Sequence, residues 1–104
     1  ITFQYNEADG SVFVDGHFVT SGIQGKILHY ILEQCAHHHR CELERRELVS
    51  HPELVTSRDD TGLSLRLSRI RQALAKRCPS VRLIPTARGR FRLEGAEHGT
   101  VERV

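Results

Sequence analysis

The residues of this sequence best suited to chemistry are basic and amide side chains that alternate with apolar ones between Thr61 and Arg77. Arginine can donate two hydrogen bonds to guanine, glutamine can pair with adenine, and an apolar side chain can contact the methyl group of thymine. At about 100° per residue, one face of a helix here carries most of these groups. The predicted base contacts are Leu65, Ser68, Arg69 and Gln72, and the predicted phosphate contacts on the same helix are Arg66, Arg71 and Lys76.

A second group of cations follows in the sequence. Arg88, Arg90 and Arg92 occupy every second position around Gly89, which is typical of a turn between two strands. Arginine at such a tip can enter a minor groove, where it responds to groove width and electrostatic potential. We predict this role for Arg88 and Arg90. For Arg92 two interpretations stay open, a DNA contact and a charge that keeps sheet edges from associating.

The distribution of charge indicates a polyanionic partner. Residues 58–92 contain ten basic and two acidic residues, a net charge of +8, whereas the other 69 residues contain five basic and eleven acidic ones, a net charge of −6. The alternative is an ordinary solvated helix face, because arginine and glutamine are good helix formers. An outward-facing leucine at position 65 and the lack of acidic residues from Leu63 to Arg77 argue against that alternative.

Three helices are predicted to position these groups. The last and clearest covers about 61–77, because its apolar residues recur at helical spacing on one narrow stripe. That stripe consists of Leu63, Leu67, Ile70 and Leu74. A first helix is predicted over about 22–38 and a short second helix over about 45–51, where Pro52 would end it.

Strands flank the helices at both ends of the chain. Residues 1–20 alternate as short strands, with Asp15-Gly16 as a two-residue hairpin turn, and residues 81–94 read as a C-terminal hairpin. Residues 95–104 are polar and are predicted to be a tail. The expected fold class is α+β, a winged helix-turn-helix domain over 1–94 with N-terminal antiparallel strands, a three-helix core and a C-terminal β-hairpin wing.

Other classes of protein find less support in the sequence. No apolar run reaches the roughly 18 residues of a membrane span, so no membrane partner is expected. No acid, base and nucleophile form a recognisable set, so neither an enzyme nor a cofactor is expected. The segment from Cys35 to Cys41 contains three histidines, but its spacing matches no standard zinc motif. The odd number of cysteines is interpreted as reduced thiols in a cytoplasmic protein.

Two segments together resemble the OmpR/PhoB-type effector domains of bacterial response regulators. Residues 63–74, LSLRLSRIRQAL, are similar to the family's VDVHISRLRKAL, and residues 83–93, LIPTARGRFRL, to its IQTVRGxGYRL. Weaker matches are RREL at 45–48 to REEL and KIL at 26–28 to (K/R)LL, and the resemblance covers about residues 10–94.

The resemblance implies a role for particular positions. Leu65, Ser68 and Arg69 match base-contacting positions, Arg71 and Thr86 match phosphate-binding positions, and Arg88 matches the wing arginine that enters the minor groove. It also implies double-stranded DNA as partner, a two-component regulatory setting, and contact of RNA polymerase with the 52–60 loop. A dimer on DNA is left open.

The sequence also departs from the family's pattern. Gln24-Gly25 replace a Glu-Phe pair, Ser64 replaces an acidic residue, the first connection between helices is longer, and the wing is one residue shorter. The shorter wing and the net charge of −6 outside residues 58–92 keep one alternative open, a winged-helix module that binds proteins and has lost DNA binding. Leu65 would then anchor a protein interface.

Overall fold

The fold is α+β, with N-terminal strands, three helices and a C-terminal hairpin, in the predicted order. The computed structural model describes residues 1–51 and 60–103. Its strands are β1 (Thr2–Asn6), β2 (Ser11–Val14), β3 (His17–Thr20), β4 (Glu42–Glu44), β5 (Arg82–Ala87), β6 (Arg90–Glu94) and β7 (Thr100–Arg103). Its helices are α1 (Gly22–His38), α2 (Arg45–Val49) and α3 (Asp60–Arg77).

The first sheet is mixed and has the order β3-β2-β1-β7. β1, β2 and β3 pair antiparallel, and the turn between β2 and β3 has positive φ at both Asp15 and Gly16, as a tight hairpin requires. β7 pairs parallel to β1, with Phe3 opposite Val101. The prediction of a tail over 95–104 is therefore wrong for Thr100–Arg103, whose short alternating pattern carries no hairpin signal because its partner lies at the other end of the chain.

The second sheet has the order β4-β6-β5, and it fastens the hairpin to the helices. β5 and β6 form the predicted hairpin, while β4 joins the free edge of β6 with Leu43 opposite Phe91. The sequence did not predict β4, because a strand of three residues with a single buried side chain, Leu43, leaves almost no alternation to detect. α2 follows β4 directly and is shorter than predicted, ending at Val49 rather than 51.

The hydrophobic core lies between the helices and the inner faces of the two sheets. All four residues of the predicted α3 stripe, Leu63, Leu67, Ile70 and Leu74, are buried, which confirms the helical phase. α1 contributes a broad buried face that includes Ile27, Leu28 and Ile31. α1 also passes close to the turn before β2, where a Cβ at Gly25 would lie 1.6 Å from the carbonyl oxygen of Gly10.

A histidine of α1 is packed inside the domain against the first sheet. The His29 ring stacks on Tyr5 of β1 with ring centroids 3.8 Å apart, and its Nε2 lies 3.1 Å from Glu33 Oε1. Arg103 of β7 in turn lies 3.6 Å from the same Glu33 oxygen. Burial lowers the pKa of His29 because it disfavours the imidazolium, and this outweighs the opposing effect of Glu33.

Candidate nucleic-acid interface

The outward face of α3 combines an exposed leucine with cations that have no counter-ion among the described residues. Leu65 is 51% exposed, more than Ile1 at 44% or Phe18 at 41%. Arg69, Arg71 and Gln72 are exposed beside it, whereas Arg66 and Ser68 are half-buried. Within residues 1–51 and 60–103, no ion pair or hydrogen bond engages the side chains of Arg66, Arg69, Arg71 and Lys76. This helix face is therefore free to bind an external anion.

One groove separates α3 from the hairpin. Its α3 wall is formed by Ser68, Arg71 and Gln72, and its opposite wall includes Arg82 of β5. The two arginines come from stretches of chain that are separate in sequence, and both are exposed. In the part of the chain that the structure describes, neither guanidinium has a carboxylate partner. The groove therefore brings together two cations that could bind the same anionic ligand.

A second groove runs along the opposite flank of α3. Arg69, Gln72 and Lys76 line it on the helix side, and Thr20 at the end of β3 and Gln24 in the first turn of α1 line it on the other. At its end Arg77 is held in place, because its guanidinium lies over the Phe18 ring at 5.2 Å from the centroid and donates to the carbonyl of Val19 at 3.4 Å. α3 thus forms a ridge between two grooves, each lined by its own cations.

Arg45, the first residue of α2, connects the hairpin to α3. Its backbone N–H donates to the carbonyl of Gly89 in the hairpin turn at 2.8 Å, and its guanidinium donates to the hydroxyl of Ser64 on α3. Arg45 also lines a cleft with Arg71 and Arg90 between α3 and the hairpin. The sequence predicted a short helix from about residue 45 and a resemblance of residues 45–48 to a family segment, but no contact of Arg45. The role of Arg45 depends on contacts across 19 and 44 positions, which no local pattern reveals.

The three hairpin arginines differ in their surroundings. Arg90 is bound to the acidic residues of β4, with Glu44 at 3.0 Å and Glu42 at 3.9 Å, and Arg92 is bound to Glu94 at 2.7 Å. Arg88 is exposed, and no residue in the described ranges pairs with it. Arg88 is thus free to contact a ligand, whereas Arg90 must first leave its carboxylates.

Glu44 holds the cations near the hairpin turn. It pairs with Arg46 as well as with Arg90, and these contacts, the hydrogen bond from Arg46 first, lower the pKa of its carboxyl group. Glu44 therefore stays ionised and keeps both arginines partly neutralised. Thr86, the predicted phosphate contact of the hairpin, is exposed on β5 beside the register shift between Pro85 and Ala87.

The cysteines correct one expectation from the sequence. Cys35 and Cys41 form a disulfide, so the interpretation of all three as reduced thiols is wrong, and only Cys78 is free and buried. Because the two sulfurs are bonded to each other, they are not available as zinc ligands. In the described ranges no group of three or more His, Cys, Asp or Glu side chains is placed to hold a metal ion.

Two further expectations can be compared with the structure only in part. The 52–60 loop, predicted to contact RNA polymerase, lies outside the described residues except at Asp60, where α3 begins. No described helix is both long enough and apolar enough to cross a membrane.

The fold and this surface define a class, an α+β domain whose third helix lies between two grooves beside a hairpin and presents cations that are unpaired within the described part of the chain. No family model, no curated protein and no solved structure matches the chain. A function must therefore be inferred from the residues and their geometry.

Proposed function

We propose that this chain is a winged helix-turn-helix domain that binds double-stranded DNA in a sequence-specific manner, as the output module of a bacterial transcription regulator. The observation that carries the proposal is that cations of α3 and of the hairpin, unpaired within the described residues, line one groove, while Leu65 is exposed on the same helix. A solvated helix face is commonly stabilised by pairing its arginines with acidic neighbours three or four positions away, and α3 has no acidic residue from Leu63 to Arg77.

The ridge-and-groove shape supports insertion of α3 into a major groove. A major groove is wide enough for one helix, and the two phosphate backbones then run along the flanks of that helix. Arg71 and Arg82 line one flank, and Lys76 lines the other. With Arg66, and with Arg88 as a cation in the minor groove, these make about five charge-neutralising contacts, for which log K should fall with log[salt] at a slope of about −4.5.

Base recognition falls to the side chains on the crest of the ridge. Leu65 would contact a thymine methyl, Arg69 would donate to a guanine, and Gln72 would pair with an adenine, with Ser68 beside them. Arg88 would enter the adjoining minor groove, and Arg45 would hold the hairpin at the correct distance from α3. Phosphate contacts set the register, and base contacts set the preference for sequence.

The experiment compares three single variants on a selected duplex and on a random duplex at two salt concentrations. Arg69→Ala should lose about 1–3 kcal/mol on the selected duplex and relax the preference at one base pair. Arg71→Ala should weaken both duplexes alike and reduce the salt slope by about 1. The control is Arg103→Ala, which removes a cation of β7 that is already paired with Glu7. This variant should change neither affinity.

Two results would contradict the proposal. Equal losses for Arg69→Ala on both duplexes would remove the base-reading role from that side chain. Wild-type protein that binds neither duplex at about 0.1 M salt would remove DNA binding altogether, since five phosphate contacts suffice for non-specific binding at that salt concentration.

One observation favours a second candidate, a domain of similar shape that binds a protein. Arg90 and Arg92 are already paired with carboxylates, which reduces the charge that the hairpin offers to DNA. Leu65 would then be the anchor of a protein interface. Leu65→Ala separates the candidates, because a thymine contact predicts a loss confined to duplexes with thymine at one position.

A further inference from the structure

The segment between α1 and β4 holds a feature that DNA binding does not explain. Cys35, in the last turns of α1, is bonded to Cys41, six positions later and one residue before β4. Between them lie three histidines and Arg40, and His39 adopts a left-handed backbone with φ of 56°. The disulfide closes this segment into a small ring.

The two sulfur atoms differ in their access to solvent. Cys35 is 1% exposed and belongs to the hydrophobic core, whereas Cys41 is half-buried. Histidines 37–39 are exposed beside it, and Arg40 binds Gln34 at 3.2 Å and Glu47 at 2.6 Å. Neighbouring cations favour thiolates over thiols. By residue exposure, Cys41 is therefore the more accessible of the two cysteines to an incoming thiolate.

The Cys35–Cys41 disulfide lies directly before β4, the strand that pairs with the edge of the hairpin. The carbonyl of Cys41 accepts a hydrogen bond from the N–H of Leu93 in β6 at 2.9 Å. β4 then continues that pairing for three residues, and Arg45, directly after it, binds the carbonyl of Gly89 in the turn. Cys41 is thus the point where α1 is tied to the edge of the hairpin.

We propose that the Cys35–Cys41 disulfide is a site of thiol–disulfide exchange, opened by a dithiol at Cys41, and that its state sets how firmly β4 is held against β6. A thiolate of the dithiol forms a bond to Cys41 Sγ, the Cys35–Cys41 bond breaks, and Cys35 leaves as a thiolate that takes a proton from water. The second thiol of the dithiol then attacks the mixed disulfide and releases Cys41. In total the protein gains two electrons and two protons, and the dithiol becomes a disulfide.

The size of the ring sets the expected effect. The disulfide closes a seven-residue segment and so lowers the chain entropy of the open state. It thereby reduces the equilibrium constant for opening by a factor of about 50. Because β4 has only three residues, its attachment depends on this closure more than the longer strands do. Reduction should therefore loosen β4 locally and leave the first sheet intact.

The first test locates the reactive sulfur. Cys35→Ser leaves the thiol of Cys41, and Cys41→Ser leaves the thiol of Cys35. Each variant is treated with glutathione disulfide, and the mixed disulfide on each cysteine is followed by peptide mass, so that Cys78 is measured separately. We expect Cys41 to react at least about ten times faster than Cys35 because of its exposure. A rate for Cys35 that equals or exceeds that of Cys41 would overturn the assignment.

The second test uses the unaltered protein and needs no DNA. Amide hydrogen exchange is compared between the oxidised protein and the protein reduced with dithiothreitol. The amide of Leu93, bound to the carbonyl of Cys41, should exchange about 10- to 50-fold faster after reduction. The amide of Asp15, which donates to the carbonyl of Thr2 within the first sheet, should keep its rate. An unchanged rate at Leu93, or an equal acceleration at both amides, would refute the local coupling.

Discussion

Replacing Glu44 with glutamine tests whether the hairpin cations are held back from DNA. The glutamine keeps the shape of the side chain and removes the charge that pairs with Arg90 at 3.0 Å. Glu44 precedes α2, but its side chain makes no capping hydrogen bond, so the helix loses no cap. Arg90 then has Glu42, at 3.9 Å, as its carboxylate partner and a neutral amide oxygen at position 44, so it is more available to a phosphate.

The size of the effect follows from counting phosphate contacts. Each added contact on duplex DNA makes the slope of log K against log[salt] steeper by about 0.9. Glu44→Gln should therefore change the slope from about −4.5 to about −5.4. If the variant and the wild type bind alike near 1 M salt, the same increment gives about eightfold tighter binding at about 0.1 M salt. The gain should be equal on selected and random duplexes, since phosphates carry no sequence.

A mobility shift or anisotropy titration over four salt concentrations measures both quantities, and two comparisons identify the cause. Glu94→Gln removes the same charge from the partner of Arg92 on the same sheet, farther from the turn. An equal gain in that variant would show a non-specific effect of net charge. In the Glu44→Gln background, Arg90→Ala should abolish the gain, and loss of the gain in Arg46→Ala instead would assign it to the other arginine that Glu44 neutralises. An unchanged slope in Glu44→Gln would refute the reasoning.

The remaining predictions concern stability. Gly25→Ala should destabilise the domain by about 3 kcal/mol or more, because the new methyl group meets the carbonyl of Gly10. Gly62→Ala on α3 should stabilise the domain by about 0.5–1 kcal/mol, because its methyl group meets nothing within 4 Å and alanine favours the helix over glycine. Urea denaturation checks both, and equal effects would contradict the close approach of the chains. Burial lowers the pKa of His29 below its ordinary value of 6.5, so the unfolded chain takes up a proton at this residue more readily than the folded domain. The contribution of His29 to the free energy of unfolding is therefore full above about pH 6.5 and decreases as the pH falls below it. His29→Phe, which retains a ring against Tyr5, should flatten this dependence between about pH 7.5 and 5.5; an unchanged slope would assign it to other groups.

Much of the fold was predictable because it depends on neighbours in the sequence. The stripe from Leu63 to Leu74 repeats at helical spacing, so it determined both the buried face of α3 and the outward position of Leu65. Asp15-Gly16 similarly specified a tight turn, since both residues accept positive φ. The prediction that α3 carries a cationic outer face needed nothing beyond these local rules.

The tertiary structure decided which of the cations are free. Arg90 and Glu44 are 46 positions apart, and only the pairing of β4 with β6 brings them together. The same pairing carries Arg45 to Gly89, and β7 reaches β1 from the far end of the chain. By itself the sequence determined the helices, the turns and the sign of the charge, because each is encoded within a few residues. Strand partners, ion pairs and the Cys35–Cys41 disulfide were determined only by the tertiary structure, since their stability depends on contacts that no local pattern contains.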